Sequence, residues 1–183
     1  MTTPYQIIPT TIFRETDSVS FYDCTIGNTN GCDVVQHGPH AISPPDDISQ
    51  WTFYVHHEQV DNNLCVYGTR VFFLISKTHK NPYHIVTLSP KVGSLMIPKG
   101  VYHRSYSLSE GSVLINQSER TEDFDVTKEF IPVSTRDDEE LWRIVHNVKP
   151  IMNDLAGITK LDSSVTVEEL SQHTCFPGQN VLS

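Results

Sequence analysis

The stretch SLMIPKGVYHRSYSLSEG, residues 94–111, decides how this chain folds. Residues 94–98 form an apolar strand, Pro-Lys-Gly at 98–100 makes a turn, and residues 101–107 alternate as a second strand before Ser-Glu-Gly turns the chain again. Proline fixes φ at the head of the turn and glycine tolerates a tight backbone at its end, so the second strand starts in a set register. That register aims His103 at a chosen place. With a period of two, Val101, His103 and Ser105 share one face while Tyr102, Arg104 and Tyr106 share the other. The strand alone leaves open which face looks inward.

The same texture extends through the first 130 residues. QIIP, CDVVQH, WTFYVHH, LCVYG, RVFFLIS, HIVTLS and SVLIN are short β-prone runs separated by YGT, NPY, PKVG and similar turns. Many short strands without intervening helical periodicity predict an antiparallel sandwich or barrel. Near residue 134 the period changes. In STRDDEELWRIVHNVKP, Leu141, Ile144, Val145 and Val148 recur at helical spacing, acids crowd the first turn, Ser134 or Thr135 can cap, and Pro150 stops the helix. A second, weaker helix is expected in SSVTVEELSQH. The chain thus divides into a β-barrel with N-terminal strands over 1–133 and a helical extension packed on it over 134–183. Residues 37–50, rich in Pro and Asp, read as an irregular surface loop, and residues 118–129 as a charged one.

Composition narrows the function classes. The 183 residues suffice for one well-cored domain. A formal net charge of −9 argues against a nucleic-acid or anionic-membrane surface, while a few arginines in one cleft still allow a small anionic ligand. No apolar run approaches a membrane span and the N-terminus lacks a signal-peptide pattern, so the expected location is cytoplasmic. The four cysteines are too sparse and irregular for a disulfide framework or a zinc clip, and Cys65 reads as a buried free thiol.

Three elements follow in order: YVHHEQVDNNLCVYG, GSLMIPKGVYHRS and GSVLIN. This order, with Pro-x-Gly-x-x-His at Pro98–His103, resembles the cupin superfamily, in which a histidine-bearing strand precedes such a motif. The closer resemblance is to the dTDP-4-dehydrorhamnose 3,5-epimerase-like branch, through Val55-His56, Gly68, LMIPKGVYHRSYSLSE, SVLIN, and Asp125 with Glu129. It covers about residues 50–130 and implies an antiparallel jelly-roll β-barrel with C-terminal helices. It also implies a homodimer, often joined through N-terminal strands such as PYQIIPTTIF.

In that branch a histidine removes a proton next to a sugar ketone, a lysine steadies the enolate oxygen and a tyrosine returns a proton. His56 matches the base. VDNNL has no lysine where one is expected, and SVLIN ends in Asn116 at the tyrosine position. Asparagine can hydrogen-bond a carbonyl but cannot donate a proton as a phenol does. Tyr102, Tyr106, Tyr67 or Arg104 can substitute from another wall. The candidate catalytic residues are His56 and His103, and the candidate substrate-binding residues are Arg104, Asn116, Tyr54 and Arg70.

Metal-binding cupins resemble His-x-His, a Glu a few residues on, and the second-motif His. Here His56 and His57 are adjacent and point to opposite faces, leaving one of them plus His103, with Gln59 or Asp61 as extras. A divalent metal held by His57 and His103 is thus a possible cofactor. Three readings stand: a sugar or nucleotide-sugar epimerase/isomerase using histidine acid/base chemistry, a metal-dependent cupin oxygenase or isomerase, and a non-catalytic small-ligand binder. Each takes a small molecule, and a carbohydrate leads.

Overall fold

A computed structural model describes residues 3–45 and 51–157. The N-terminal elements are β1 (Gln6–Ile8), β2 (Thr11–Glu15), β3 (Ser20–Asp23), β4 (Gly31–His37), β5 (Ile42–Ser43) and β6 (Thr52–Phe53). The central ones are β7 (Gln59–Ile75), β8 (Tyr83–Leu88), β9 (Ser94–Ile97) and β10 (Tyr102–Arg120). The chain closes with α1 (Val126–Glu129), β11 (Val133–Ser134), α2 (Glu139–Asn147) and β12 (Ile151–Asp154). The architecture is mainly antiparallel β, as the strand pattern predicts.

Strand β7 fuses the LCVYG and RVFFLIS runs, and β10 fuses VYHRSYS with SVLIN. These two long strands pair antiparallel from Tyr102↔Ile75 to Arg120↔Gln59 and form the spine of the sheet. The ladder breaks register between Ser107 and Ser112, where Gly68 and Gly111 both have positive φ. At Gly68 a Cβ would collide with the Gly111 carbonyl oxygen, so only glycine lets the two backbones approach there. Strands β8 and β9 pair with β7, β4 pairs with β10, and β1 pairs with β9.

Both faces of β7 are buried, which explains its unbroken apolar run. Val71, Phe73 and Ile75 join Phe53, Tyr83 and Ile85 in one cluster, beneath Leu141, Ile144 and Val145 of α2. Phe72 and Leu74 join Cys65, Val86, Leu95, Val101 and Leu114 in the other, inside the barrel. The cross-strand register puts His103 opposite Leu74, toward the interior, and Arg104 opposite Phe73, toward α2.

The C-terminal part differs from expectation in two respects. Asp138 caps α2, its Oδ1 accepting from the Leu141 N–H at 2.9 Å, in place of Ser134 or Thr135. After Pro150 the chain adds β12 parallel to β8, a pairing no local pattern announces. The helix expected in SSVTVEELSQH lies outside the described residues. In the region read as a surface loop, His37 ends β4, and β5 bridges to Ser105 and Tyr106 of β10. The strands β2 and β3 form a separate hairpin that leaves Ile12, Phe13, Val19 and Phe21 exposed. Among the described residues, no helix is long and apolar enough to cross a membrane.

Candidate active site

The Pro-Lys-Gly turn is tied directly to the first histidine. Gly100, at φ +75°, donates its N–H to the His56 carbonyl at 2.8 Å. Tyr54 and His103 exchange backbone hydrogen bonds at 2.8 and 2.9 Å, so the two motifs lie side by side. The result is a buried pair: the His56 and His103 rings are 4.9 Å apart between centroids, with 4% and 8% of each residue exposed.

Backbone carbonyls set both ring tautomers. His56 Nδ1 lies 3.0 Å from the Glu129 carbonyl oxygen, and His103 Nδ1 lies 3.2 Å from that of Val101. A carbonyl only accepts, so each Nδ1 carries a hydrogen and each ring turns its Nε2 toward the cavity. Between them stands Asp61, whose Oδ2 is 3.5 Å from His56 Nε2 and 3.6 Å from His103 Nε2. Its other oxygen is occupied, accepting from Gln59 Nε2 at 2.6 Å and Asn116 Nδ2 at 2.9 Å. Burial pushes the His103 imidazole down to about 4, with Asp61 opposing that shift and His56 adding to it. Two imidazole nitrogens and a carboxylate oxygen, all buried, thus converge on one point, an arrangement that suits a shared proton or a cation.

These groups line one end of a cavity of about 280 Å³. Tyr54, Phe72, Leu114 and Phe130 form its apolar walls, and Asp33, His37, Ser43 and Ser105 its far end. The Tyr54 ring stacks on His56 at 6.3 Å, and burial raises the Tyr54 phenol, which keeps it protonated at neutral pH. Glu129 secures the wall. Its Oε2 accepts from the His57 and Glu58 N–H groups at 2.9 and 3.2 Å, so α1 clamps the histidine segment.

No family profile and no curated protein matches the sequence. Solved structures do match the fold. A sugar 3,4-ketoisomerase, QdtA, from Thermoanaerobacterium thermosaccharolyticum aligns at TM-score 0.54 with 14% identity, over 72% of this chain and 89% of that one. The dTDP-4-dehydrorhamnose 3,5-epimerase of Elizabethkingia anophelis aligns at TM-score 0.54 with 18% identity, over 84% and 90%. A double mutant of ChmJ, a 3′-monoepimerase from Streptomyces bikiniensis, aligns at TM-score 0.56 with 12% identity, over 93% of both chains. This chain has the dTDP-sugar epimerase-like cupin fold.

Of the residues singled out from the sequence, this fold brings His56, His103, Tyr54 and Asn116 to one cavity. Asn116 sits in its wall with both ends of its amide engaged, Oδ1 accepting from the Asn62 N–H at 2.9 Å and Nδ2 donating to Asp61. Arg104 belongs elsewhere. Its guanidinium lies 4.5 Å from the Trp51 ring and 6.0 Å from Phe53, because strand alternation turns it away from the His103 face. His57 is exposed and offers the site only its backbone, so it is not a ligand; Asp61 takes that position in the cluster with His56 and His103. Arg70 is fully buried and is not among the residues that line the cavity; it donates to Ser105 Oγ at 2.8 Å and to the Ala41 carbonyl at 3.0 Å.

Sequence reasoning underrated three residues. From the sequence, Asp61 reads only as an extra metal ligand, Asn63 lies in a polar run that receives no role, and His37 reads as part of a surface loop. The signal available for Asp61 was its odd parity with Gln59, Asn63 and Cys65 on the strand that follows His56.

Proposed function

We propose that this cupin is a sugar epimerase or ketoisomerase acting on a keto sugar, linked to a nucleotide, by histidine acid/base chemistry. The observation that carries the reading is the pair of imidazole Nε2 atoms flanking Asp61 Oδ2 in the cavity. A neutral imidazole takes the proton from the carbon beside the ketone, leaving an enolate whose negative charge rests on the former carbonyl oxygen. Protonating the same carbon from the other face completes epimerisation; protonating the former carbonyl carbon, while the neighbouring hydroxyl gives up its proton and the enolate oxygen takes one, completes ketone migration, in both cases with no oxidant. Asp61 stabilises the imidazolium formed in between. Tyr54 is the tyrosine that lines the cavity, and its hydroxyl supplies the hydrogen bond to the enolate oxygen that a lysine gives in the related branch. Ligand pockets commonly run roughly 300–1,000 Å³. At about 280 Å³ this cavity suits the sugar ring, with the nucleotide at its mouth beside the exposed edge of Phe130.

The test is turnover of TDP-4-keto-6-deoxyglucose, a ligand of a related ketoisomerase, followed by product analysis. Wild-type conversion that is lost in His56→Asn and His103→Asn supports the proposal. Tight binding without conversion would assign the cavity to a non-catalytic binder.

A second reading is favoured by the same cluster. One ligand atom each from His56, Asp61 and His103 lies within 4.8 Å of the others. Two imidazoles and a carboxylate are the donor set of non-haem Fe(II) and related sites, and tethering of both Nδ1 atoms fits ligation through Nε2. A divalent ion there would polarise a carbonyl oxygen as a Lewis acid. Elemental analysis of protein purified without chelators, with Asp61→Asn as control, separates the readings: near-stoichiometric metal lost in the variant supports the ion. The setting we propose is a cytoplasmic homodimer. The free thiols Cys24, Cys32 and Cys65 fit a reducing compartment, and the apolar hairpin of β2 and β3 fits a dimer contact.

A further inference from the structure

A second cavity, of about 390 Å³, lies between the β7–β8 turn and the end of α2 and shares no residue with the histidine cavity. Its rim carries Lys77, Lys80, Arg143 and Lys149, and no described carboxylate lines it. In a chain with 22 acidic and 13 basic residues, cations ordinarily find an acid. Lys77 does so, its Nζ meeting Asp138 Oδ2 at 2.5 Å, whereas Lys80, Arg143 and Lys149 have no carboxylate partner among the described residues. The α2 carbonyl end accounts for part of this charge. It amounts to roughly half a negative charge, and the effect fades within the last turn. Arg143 sits mid-helix and Lys80 on another element, so a surplus of positive charge remains in the cleft. The floor is apolar, built from Tyr83, Ile144 and Val148.

We propose that this cleft binds a small molecule bearing a diphosphate or longer phosphate chain, as a site separate from the histidine cavity. Three unpaired cations on two elements match an anion of two or more charges better than a single carboxylate, and the arginine fork suits phosphate oxygens. The apolar floor accepts a non-polar portion of the same molecule. Attraction of this kind is weakened by salt, since screening sets in at about 8 Å at physiological ionic strength.

The test is an amide chemical-shift titration of the full chain with inorganic pyrophosphate at low salt. The expected result is saturable shifts at Lys80, Asn81, Arg143 and Lys149, with His56, Asp61 and His103 unmoved. The double variant Lys80→Glu/Arg143→Glu should weaken binding at least about tenfold with its melting temperature retained, and Lys80→Gln/Arg143→Gln should weaken it in the same direction. Absence of saturable shifts at the cleft, equal affinity in both variants, or shifts confined to the histidine cavity would overturn the proposal.

Discussion

At the residue scale the site is a matter of lone pairs. Carbonyls fix the hydrogen of each ring on Nδ1, so both Nε2 atoms are presented to the cavity, and Asp61 sets their spacing. Tyr54 adds a hydroxyl to the lining of the cavity. Tyr54→Phe should therefore cut kcat about 10²-fold, the loss typical of one oxyanion donor, while the melting temperature stays within about 2 °C. A full-rate phenylalanine variant would remove Tyr54 from the chemistry. His37 offers a test of burial. Desolvation, helped by the charge on Arg70, pushes its imidazole from 6.5 down to about 4. The unfolded chain thus binds this proton first, so the associated stability is fully present above pH 6.5 and drains away as pH falls toward 4. Allowing for its partial exposure, the swing is about 1–2 kcal/mol. Urea unfolding across that range should show a shallower pH slope for His37→Leu than for wild type, and identical slopes would contradict the assignment.

At the element scale, two turns position the chemistry. Gly100 ties the Pro-x-Gly-x-x-His turn to the His56 carbonyl, and the Gly68–Gly111 contact lets β7 and β10 change register behind the cavity. Gly68→Ala combines positive φ with a collision against backbone, so it should destabilise the fold by about 3 kcal/mol or more in chemical denaturation. A loss below about 1 kcal/mol would mean that the strands separate more easily than the ladder indicates. These elements were largely legible in the sequence. The turn, the two-residue alternation of β10 and the apolar stripe of α2 each follow from a local period. Arg104 was misplaced even though that alternation already set it opposite His103. Strand β12 was not legible, because a parallel pairing with a strand more than sixty residues earlier leaves no local trace. The polar run around Asp61 hid a central strand, since a cavity wall tolerates buried polar groups that a solid core would exclude.

At the scale of the molecule, the barrel leaves one feature unsupported. The β2–β3 hairpin exposes Phe13 at 65% and Ile12 at 45% with no core of its own. Two-stranded hairpins are marginal alone, so a second copy covering this face would account for it. Light scattering should give a dimer mass for wild type and a monomer for Phe13→Glu with unchanged secondary structure; a monomeric wild type would overturn the dimer. The sequence carried the barrel and its two histidines, and it placed no lysine in VDNNL and an asparagine, Asn116, at the end of SVLIN. Tyr54 and Asp61 read from the sequence only as a substrate-binding candidate and an extra metal ligand, because their shared place in one cavity comes from strand packing. The central claim is proton transfer between carbon and imidazole, and solvent deuterium reports it directly. Incubated with TDP-4-keto-6-deoxyglucose in D₂O, wild-type protein should wash deuterium into a carbon beside the ketone, and His56→Asn with His103→Asn should abolish it. Binding with no deuterium incorporated by the wild type would contradict the account.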